Sequence, residues 1–397
     1  MAYITEMTPA EMAQNWTIGY SDMTNNSFTT VSYQINGSES SADSYHYSGA
    51  DKLASFNIFY KPYHGYIATI VCILGIIANM LNIVVLTRRN MISATNCILT
   101  GLAVSDGLTL VAYLPFALRF YCLYGTEVSP ERNTLGAIRF MLFYACFSVV
   151  VHTVSIWLTV TLTVFRYIFI KHPRRGTVMC TLQRAKIAVF LNYVVTLIVC
   201  IPNFVTITVQ GSPMMAPDNS TYYLWFVQYK LDNAVDNFVY KFNFWIQAIL
   251  VKLVPCVGLT ILSALLVRTM KKADRRRRNL KMKSTMKSAE RESSRDRKTN
   301  RTTRMLLVVV FLFLLTEFPQ GILNLLSGIL SHFVEEVYWP LGDLVDILAL
   351  INNCVNFILY CSMSKQFRDT FIDIFLSQCS KNMKRFTLVP TSTKSEI

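Results

Sequence analysis

The sequence predicts an all-α membrane protein: a bundle of seven transmembrane helices followed by a short amphipathic helix. Three observations predict it. Hydrophobic residues make up 52% of the 397 residues and charged residues only 16%, a balance foreign to water-soluble domains. The apolar residues gather into stretches of about twenty or more, the length a helix needs to cross about 30 Å of hydrocarbon. The largest clusters of basic residues lie between and after those stretches on one side, the pattern of cytoplasmic loops.

Residues 1–60 come first, a polar arm rich in Ser, Thr, Asn and Tyr without the charged-then-apolar start of a cleaved signal peptide. Its composition predicts disorder, and Asn15, Asn25 and Asn36 each open an Asn-x-Ser/Thr glycosylation pattern. The membrane domain is expected over 61–363, with spans near 63–88, 94–118, 135–170, 184–204, 239–270, 302–330 and 337–363. The third is long enough to tilt and to project beyond the bilayer.

Orientation follows from charge. Arg88 and Arg89 follow the first span, and Lys171, Arg174 and Arg175 follow the third. The loop after the fifth, about 271–301, is the most basic, with fifteen Lys and Arg against four Asp and Glu between Lys271 and Arg304. That loop holds most of the net charge of +14, which places the charge beside a membrane and argues against nucleic acid as a partner. The acidic arm, the Asn219-Ser-Thr sequon, Glu335, Glu336 and Asp343 lie on the other side. The expectation is a multi-pass plasma-membrane protein with its N-terminus outside and its C-terminus in the cytoplasm.

The tail, 364–397, opens with Phe367, Phe371, Ile374 and Phe375 at helical spacing, which predicts an amphipathic helix on the inner face of the lipid bilayer. Cys379 beyond it is either an acylation site or an unmodified thiol. The Ser and Thr residues of 377–395 are either phosphorylated to recruit arrestin or a solvated tail. Of the ten cysteines, Cys72, Cys97, Cys200, Cys256, Cys354 and Cys361 fall in or at the edges of apolar segments; none has metal-ligand spacing, and there is no CxxC pair.

Ionisable groups inside hydrocarbon are costly, so each marks a functional hypothesis. At 1.5 Å rise per residue, His152 lies roughly 21 Å above Arg166, Lys252 roughly 24 Å above Arg268, and Glu317 roughly 20 Å above Arg304. Asp346 lies about 22 to 27 Å above the inner end of the seventh span. Four helices thus bring ionisable side chains to one level, which predicts a wet cavity opening outward. Lys252 and Glu317 neutralise each other there with His152 as a hydrogen-bond partner, or form a purely structural pair. Asp346, with fewer intramembrane partners in view, is the chosen receiver of a cationic ligand. Deeper in the bundle, Asn82, Asp106, Ser155, Asn352, Asn353 and Asn356 form an oxygen-rich layer. It holds a sodium ion or a water-filled hydrogen-bond network; no other cofactor is expected.

With these residues in view, the seven-span region resembles the rhodopsin-like G-protein-coupled receptors. Asn82-Ile-Val-Val, Leu102-Ala-Val-Ser-Asp106, Arg166-Tyr167, Pro255, Pro319 and Asn356-Phe-Ile-Leu-Tyr360 stand in that family's order. The departures narrow the resemblance. Phe165 stands where an acid precedes Arg-Tyr, Thr316-Glu-Phe-Pro319 replaces Cys-Trp-x-Pro, and Phe357 replaces the proline of Asn-Pro-x-x-Tyr. With Ile156-Trp-Leu-Thr and Gln320-Gly-Ile-Leu, this is similar to the invertebrate myosuppressin, FMRFamide-related and sex-peptide receptor group.

The resemblance implies an amidated peptide ligand, often ending in Arg-Phe-amide, and heterotrimeric G proteins of the inhibitory Gi/o class as partners. Taken with the ionisable layer, this gives the working hypothesis of a pocket with the ligand's Arg near Asp346 or Glu336 and its Phe-amide reaching down to His152, Gln320 and Glu317, with Lys252 a further ligand-binding candidate. Tyr113, Tyr144, Phe147, Asn324 and Trp339 would form the walls. Activation would swing the sixth helix at Pro319, exposing Arg166, Tyr167 and Arg304 while Asn356 and Tyr360 rearrange. The family's usual bridge to the second outer loop cannot form, because 203–239 has no cysteine; a Cys122–Cys146 pair is left open. The rival reading is a transporter whose intramembrane charges line a substrate or proton path, but no inverted repeat of the spans supports it. No enzyme motif is present.

Overall fold

The computed structural model describes residues 47, 49–216, 218–231, 233–281, 307–308, 310–312, 314–330 and 332–386. Among them seven helices are long and apolar enough to cross a membrane. The first, α1, runs Ala50–Leu86; α2 is Ala94–Ala117, prolonged by a π turn Leu118–Leu123; α3 is Leu135–Lys171; α4 is Leu182–Val199. The fifth, α5, combines Ala234–Trp245, a π segment Ile246–Leu253 and Val254–Lys281. The sixth, α6, is Val310–Ser327; α7 is Trp339–Met363, entered through a π turn Val334–Tyr338; α8 is Lys365–Phe386.

Helices satisfy every backbone polar group internally, which hydrocarbon demands, and the starts of several are written in the sequence. Ser93, Thr134 and Thr181 accept from the backbone N–H of Asn96, Ala137 and Arg184 at the heads of α2, α3 and α4; Asn233 does the same for Asp236 at the head of α5. The bundle centres on α3, which packs against α2, α4 and α5, while α1 lies between α2 and α7. Burial ranks them: 61% of the most apolar window of α3 is inside the protein against 17% for α4, so α3 is the axis on which functional side chains converge.

The structure corrects three expectations. The arm does not extend to residue 60, because α1 begins at Ala50 and continues through Pro62. The added turns are held by packing and polar contacts: Asn57 Nδ2 donates to the Pro340 carbonyl at 3.1 Å, Tyr47 N donates to Glu336 Oε2 at 2.8 Å, and the Tyr47 ring meets Phe333 edge-on. Asn15, Asn25, Asn36, Arg304 and residues 282–301 of the basic loop lie outside the described residues, as does the side chain of Cys379, while residues 271–281 of that loop continue α5 as helix.

The second correction is a β-hairpin between α4 and α5. Strands β1, Ile207–Met215, and β2, Thr221–Tyr229, pair antiparallel from Ile207↔Tyr229 to Met215↔Thr221. The signal was present, since Tyr222-Tyr-Leu-Trp-Phe-Val-Gln-Tyr229 is rich in aromatic and β-branched strand formers. Asn219 at the tip has φ 63°, a left-handed conformation that Asn tolerates. No disulfide ties the hairpin down. Instead Trp225 N donates to the Asn133 carbonyl and Asn133 Nδ2 donates to the Trp225 carbonyl at 3.0 Å, fixing β2 beside the head of α3. Cys122 and Cys146 are both free, the first near Thr69 Oγ1 and the second donating to the Asn203 carbonyl.

The third concerns α8, whose apolar face packs on the bundle as well as presenting a stripe. Phe367 is 1% exposed and meets Tyr360 and Phe357, and Phe371 meets Phe357. Arg368 Nη1 donates to the carbonyls of Cys361 and Ser362, covering groups left open where α7 ends.

Candidate functional site

A cavity of about 420 Å³ opens between α3, α5, α6, the start of α7 and the hairpin. Its walls are rich in carboxamides: Asn203, Asn243, Gln247, Gln320 and Asn324 all line it. Glu335 and His332 line the end nearer the hairpin, 3.3 Å apart and both largely exposed.

At the opposite end sits an ion pair. Lys252 Nζ donates to Glu317 Oε2 at 2.6 Å and to Gln320 Oε1 at 2.7 Å, and His152 Nε2 lies 3.1 Å from Glu317 Oε2 and 3.0 Å from Lys252 Nζ. Glu317 is 1% exposed and Lys252 7%, so the carboxylate stands behind the cavity wall while Lys252, His152 and Gln320 form part of it. Local structure explains the convergence. Lys252 belongs to the π segment of α5, and an inserted residue rotates the remainder of the helix by about 100° relative to a regular α-helix. Glu317 and Gln320 are three apart on α6, one turn, and so share a face.

Of the residues expected to bind ligand, His152, Lys252, Gln320, Asn324 and Trp339 line this cavity. Asp346 does not. It lies within electrostatic reach of Tyr60, Tyr113, Tyr144 and Tyr338, in a group formed by α1, α2, α3 and α7. Tyr113 and Tyr144, expected as walls, are 2% and 6% exposed inside that group: Tyr113 shares a 2.7 Å hydrogen bond with His64 Nε2, and Tyr144 stacks on Phe116. Phe147 stacks on Phe143 away from the cavity lining, and Glu336 is taken by Tyr47 N. These corrections share a cause: rise along a helix gives depth, but which way a side chain faces depends on packing and on π turns in α2, α5 and α7.

Three members of the aromatic group were missed. His64 is fully buried, and Tyr121 donates to Asp343 Oδ1 at 2.7 Å. Asp343 is 1% exposed, and its second oxygen has no partner among the described residues. The only sequence signal was a His, a Tyr and an acid at the outer ends of apolar spans.

A second, much smaller cavity of about 10 Å³ lies deeper, lined by Asp106, His152, Ser155, Asn352, Asn353 and Asn356 among others. Ser155 Oγ donates to Asp106 Oδ1 at 2.8 Å and Asn356 Nδ2 to Asp106 Oδ2 at 2.9 Å. The space is that of about one water. A single buried carboxylate with hydroxyl and amide oxygens suits a small monovalent cation; among the described residues no group of three or more His, Cys, Asp or Glu is placed to hold a metal. Asn82 is buried but its amide makes no hydrogen bond among the described residues. Its neighbour Asn79, which the sequence reading passed over, ties α1 to α7 by donating to the Asn353 carbonyl at 3.0 Å.

At the basic end, Arg166 Nε is buried with no hydrogen-bond partner among the described residues, and Phe165 stands beside it in place of an acid. Tyr167 Oη accepts from Lys171, and Tyr360 is 2% exposed under α8.

Over residues 66–378 the chain matches the family described as serpentine type 7TM GPCR chemoreceptor Srw. It is 31% identical over 360 residues to the G-protein coupled receptor dmsr-1 of Caenorhabditis elegans, covering 82% of this chain and 70% of that one. It is 30% identical over 328 residues to the sex peptide receptor of Drosophila melanogaster, covering 80% and 73%, and 26% identical over 326 residues to the FMRFamide receptor of the same fly, covering 79% and 54%.

Proposed function

This chain belongs to the seven-transmembrane G-protein-coupled receptors, multi-pass proteins of the plasma membrane that are receptors and not enzymes, and from that premise we propose that its larger cavity binds an amidated peptide. The family match sets the transporter reading aside.

The observation that supports a peptide is the lining. Five carboxamides, Asn203, Asn243, Gln247, Gln320 and Asn324, offer paired donors and acceptors suited to peptide groups, and Tyr229, Tyr240, Tyr338 and Trp339 add aromatic surface for an apolar side chain. The relatives include a receptor named for FMRFamide, a peptide ending in Arg-Phe-amide. In our reading the N-terminal arm is glycosylated and faces outward, and the peptide enters past the hairpin. Its Arg meets Glu335, the acid that lines the cavity, in place of Asp346. Its Phe-amide reaches Lys252, His152 and Gln320.

Binding then favours a state in which α6 swings at Pro319 and exposes Arg166 and Tyr167 to a G protein of the Gi/o class; it does so only as far as the peptide prefers that state. Sodium at Asp106, arrestin on the phosphorylated tail, acylation at Cys379 and lipid against α8 complete the proposal.

The test is a panel of amidated peptides and their free-acid forms on cells expressing the chain, read by G-protein dissociation with and without pertussis toxin. Activation by Arg-Phe-amide peptides, lost in the free acids and blocked by the toxin, is the expected outcome. Equal potency of amide and acid forms would refute the placement of the peptide's end, and toxin-insensitive signalling would refute Gi/o.

A further inference from the structure

His152 Nε2 stands 3.1 Å from a carboxylate oxygen and 3.0 Å from an ammonium nitrogen. An ammonium only donates and an ionised carboxylate only accepts, so Nε2 satisfies one of them at a time. Carrying a proton, it donates to Glu317 and turns an N–H on the Lys252 ammonium. Without one, it accepts from Lys252 and turns a lone pair on the carboxylate. In either form one side of the triangle is unfavourable.

The acceptor side is equally lopsided. Lys252 and His152 both crowd Glu317 Oε2, while Glu317 Oε1 is buried with no partner among the described residues. Access is lopsided too, because Lys252, His152 and Gln320 line the cavity and Glu317 does not. A ligand can reach the ammonium but not the carboxylate that holds it. This contact ties α5 to α6 two residues before Pro319, where α6 is expected to bend.

Building on the peptide reading above, we propose that Lys252 is the ligand's deepest contact and that the Lys252–Glu317–His152 cluster is the switch it operates. A carbonyl oxygen at the buried end of the ligand, of the terminal-carboxamide class, takes the donor that Glu317 Oε2 holds. The donor-against-donor contact with His152 is relieved, the imidazole N–H keeps the carboxylate satisfied, and the tie between α5 and α6 is released. No proton changes owner in this step; only hydrogen-bond partners change.

The test uses the full-length chain in cells, with surface amount measured by antibody and G-protein dissociation read without peptide and with FMRFamide. Two variants decide it: the neutral double Lys252→Met/Glu317→Gln, and the exchange Lys252→Glu/Glu317→Lys. The neutral double is expected to raise basal signalling per surface receptor at least threefold. The exchange, which keeps opposite charges facing each other, is expected to return basal signalling to the native level. Both are expected to weaken FMRFamide at least tenfold, since neither keeps an ammonium at position 252.

Native basal signalling in the neutral double, or native potency in the exchange, overturns the proposal. If the neutral double fails to reach the surface, the exchange alone still decides: low basal signalling with lost potency supports the switch, and retained potency refutes it. If FMRFamide leaves the native chain silent, the choice of peptide fails, while the basal rise and its reversal still test the tie.

Discussion

Removing Lys252 alone should cost far more than removing Lys252 and Glu317 together. In Lys252→Met, the Glu317 carboxylate, 1% exposed, keeps only the His152 contact at 3.1 Å. Breaking a buried pair by deleting one partner costs about 3–5 kcal/mol, and the remaining imidazole contact places this site at the low end, about 3 kcal/mol. In Glu317→Gln the ammonium keeps Gln320 Oε1 at 2.7 Å and gains a neutral amide oxygen, so about 1.5 kcal/mol is expected. The double variant leaves no uncompensated charge, and replacing both members of a buried pair is nearly neutral, so its cost should not exceed about 1.5 kcal/mol. The coupling between the two sites is then about 3 kcal/mol.

Thermal unfolding in detergent with a thiol-reactive dye reads this directly. Cys72, Cys146, Cys200 and Cys256 are free and buried, and become reactive as the bundle opens. At about 2–4 °C per kcal/mol, Lys252→Met should lower the midpoint by roughly 6–12 °C and the double variant by no more than about half as much. Additive effects, with the double variant the least stable of the three, would show that the charges do not depend on each other and would refute the reasoning.

Three further outcomes are expected. A Cβ at Gly75 would run into Cys354 Sγ and approach Leu110 Cδ1 at 2.7 Å, so Gly75→Ala should destabilise the α1–α7 contact by about 1–3 kcal/mol; adding Cys354→Ala should recover most of that in the same dye assay. Asp106→Asn removes the only carboxylate among the described residues lining the deeper cavity while leaving an amide able to bond Ser155 and Asn356, so sodium, expected to lower peptide potency in the native chain, should have no effect in the variant's concentration–response curves. Phe165→Asp would place a carboxylate beside Arg166, whose Nε lacks a partner among the described residues, and so supply an ion pair able to hold the resting state; basal G-protein dissociation per surface receptor should fall, and an unchanged level would show that the absent acid does not set basal signalling.

Much of the bundle was legible before any coordinates. The third span, expected over 135–170, is observed as Leu135–Lys171, and the second, expected over 94–118, as Ala94–Ala117 with its π turn. The depth argument that grouped His152, Lys252 and Glu317 agrees with their contacts, because each lies on a helix whose rise per residue is constant. The same argument misplaced Asp346 relative to the cavity. It had the depth, but Asp346 is not among the residues lining the cavity, where the acid present is Glu335. The hairpin was missed because the search was for helical spans, and the polar stretch that anchors it, around Asn133, pairs with Trp225 across 92 positions of sequence.

By itself the sequence determined how many segments are long and apolar enough to cross a membrane and where in the chain they lie. Hydrocarbon imposes those terms on each segment separately: about twenty apolar residues per crossing, no open backbone polar group, and charge left outside. Only the tertiary structure decided which buried polar groups meet. That choice rests on the rotation of each helix about its axis, set by π turns and by packing between residues far apart in the chain, and it is why Lys252 meets Glu317, 65 positions away, while Asp346 stays out of the cavity lining.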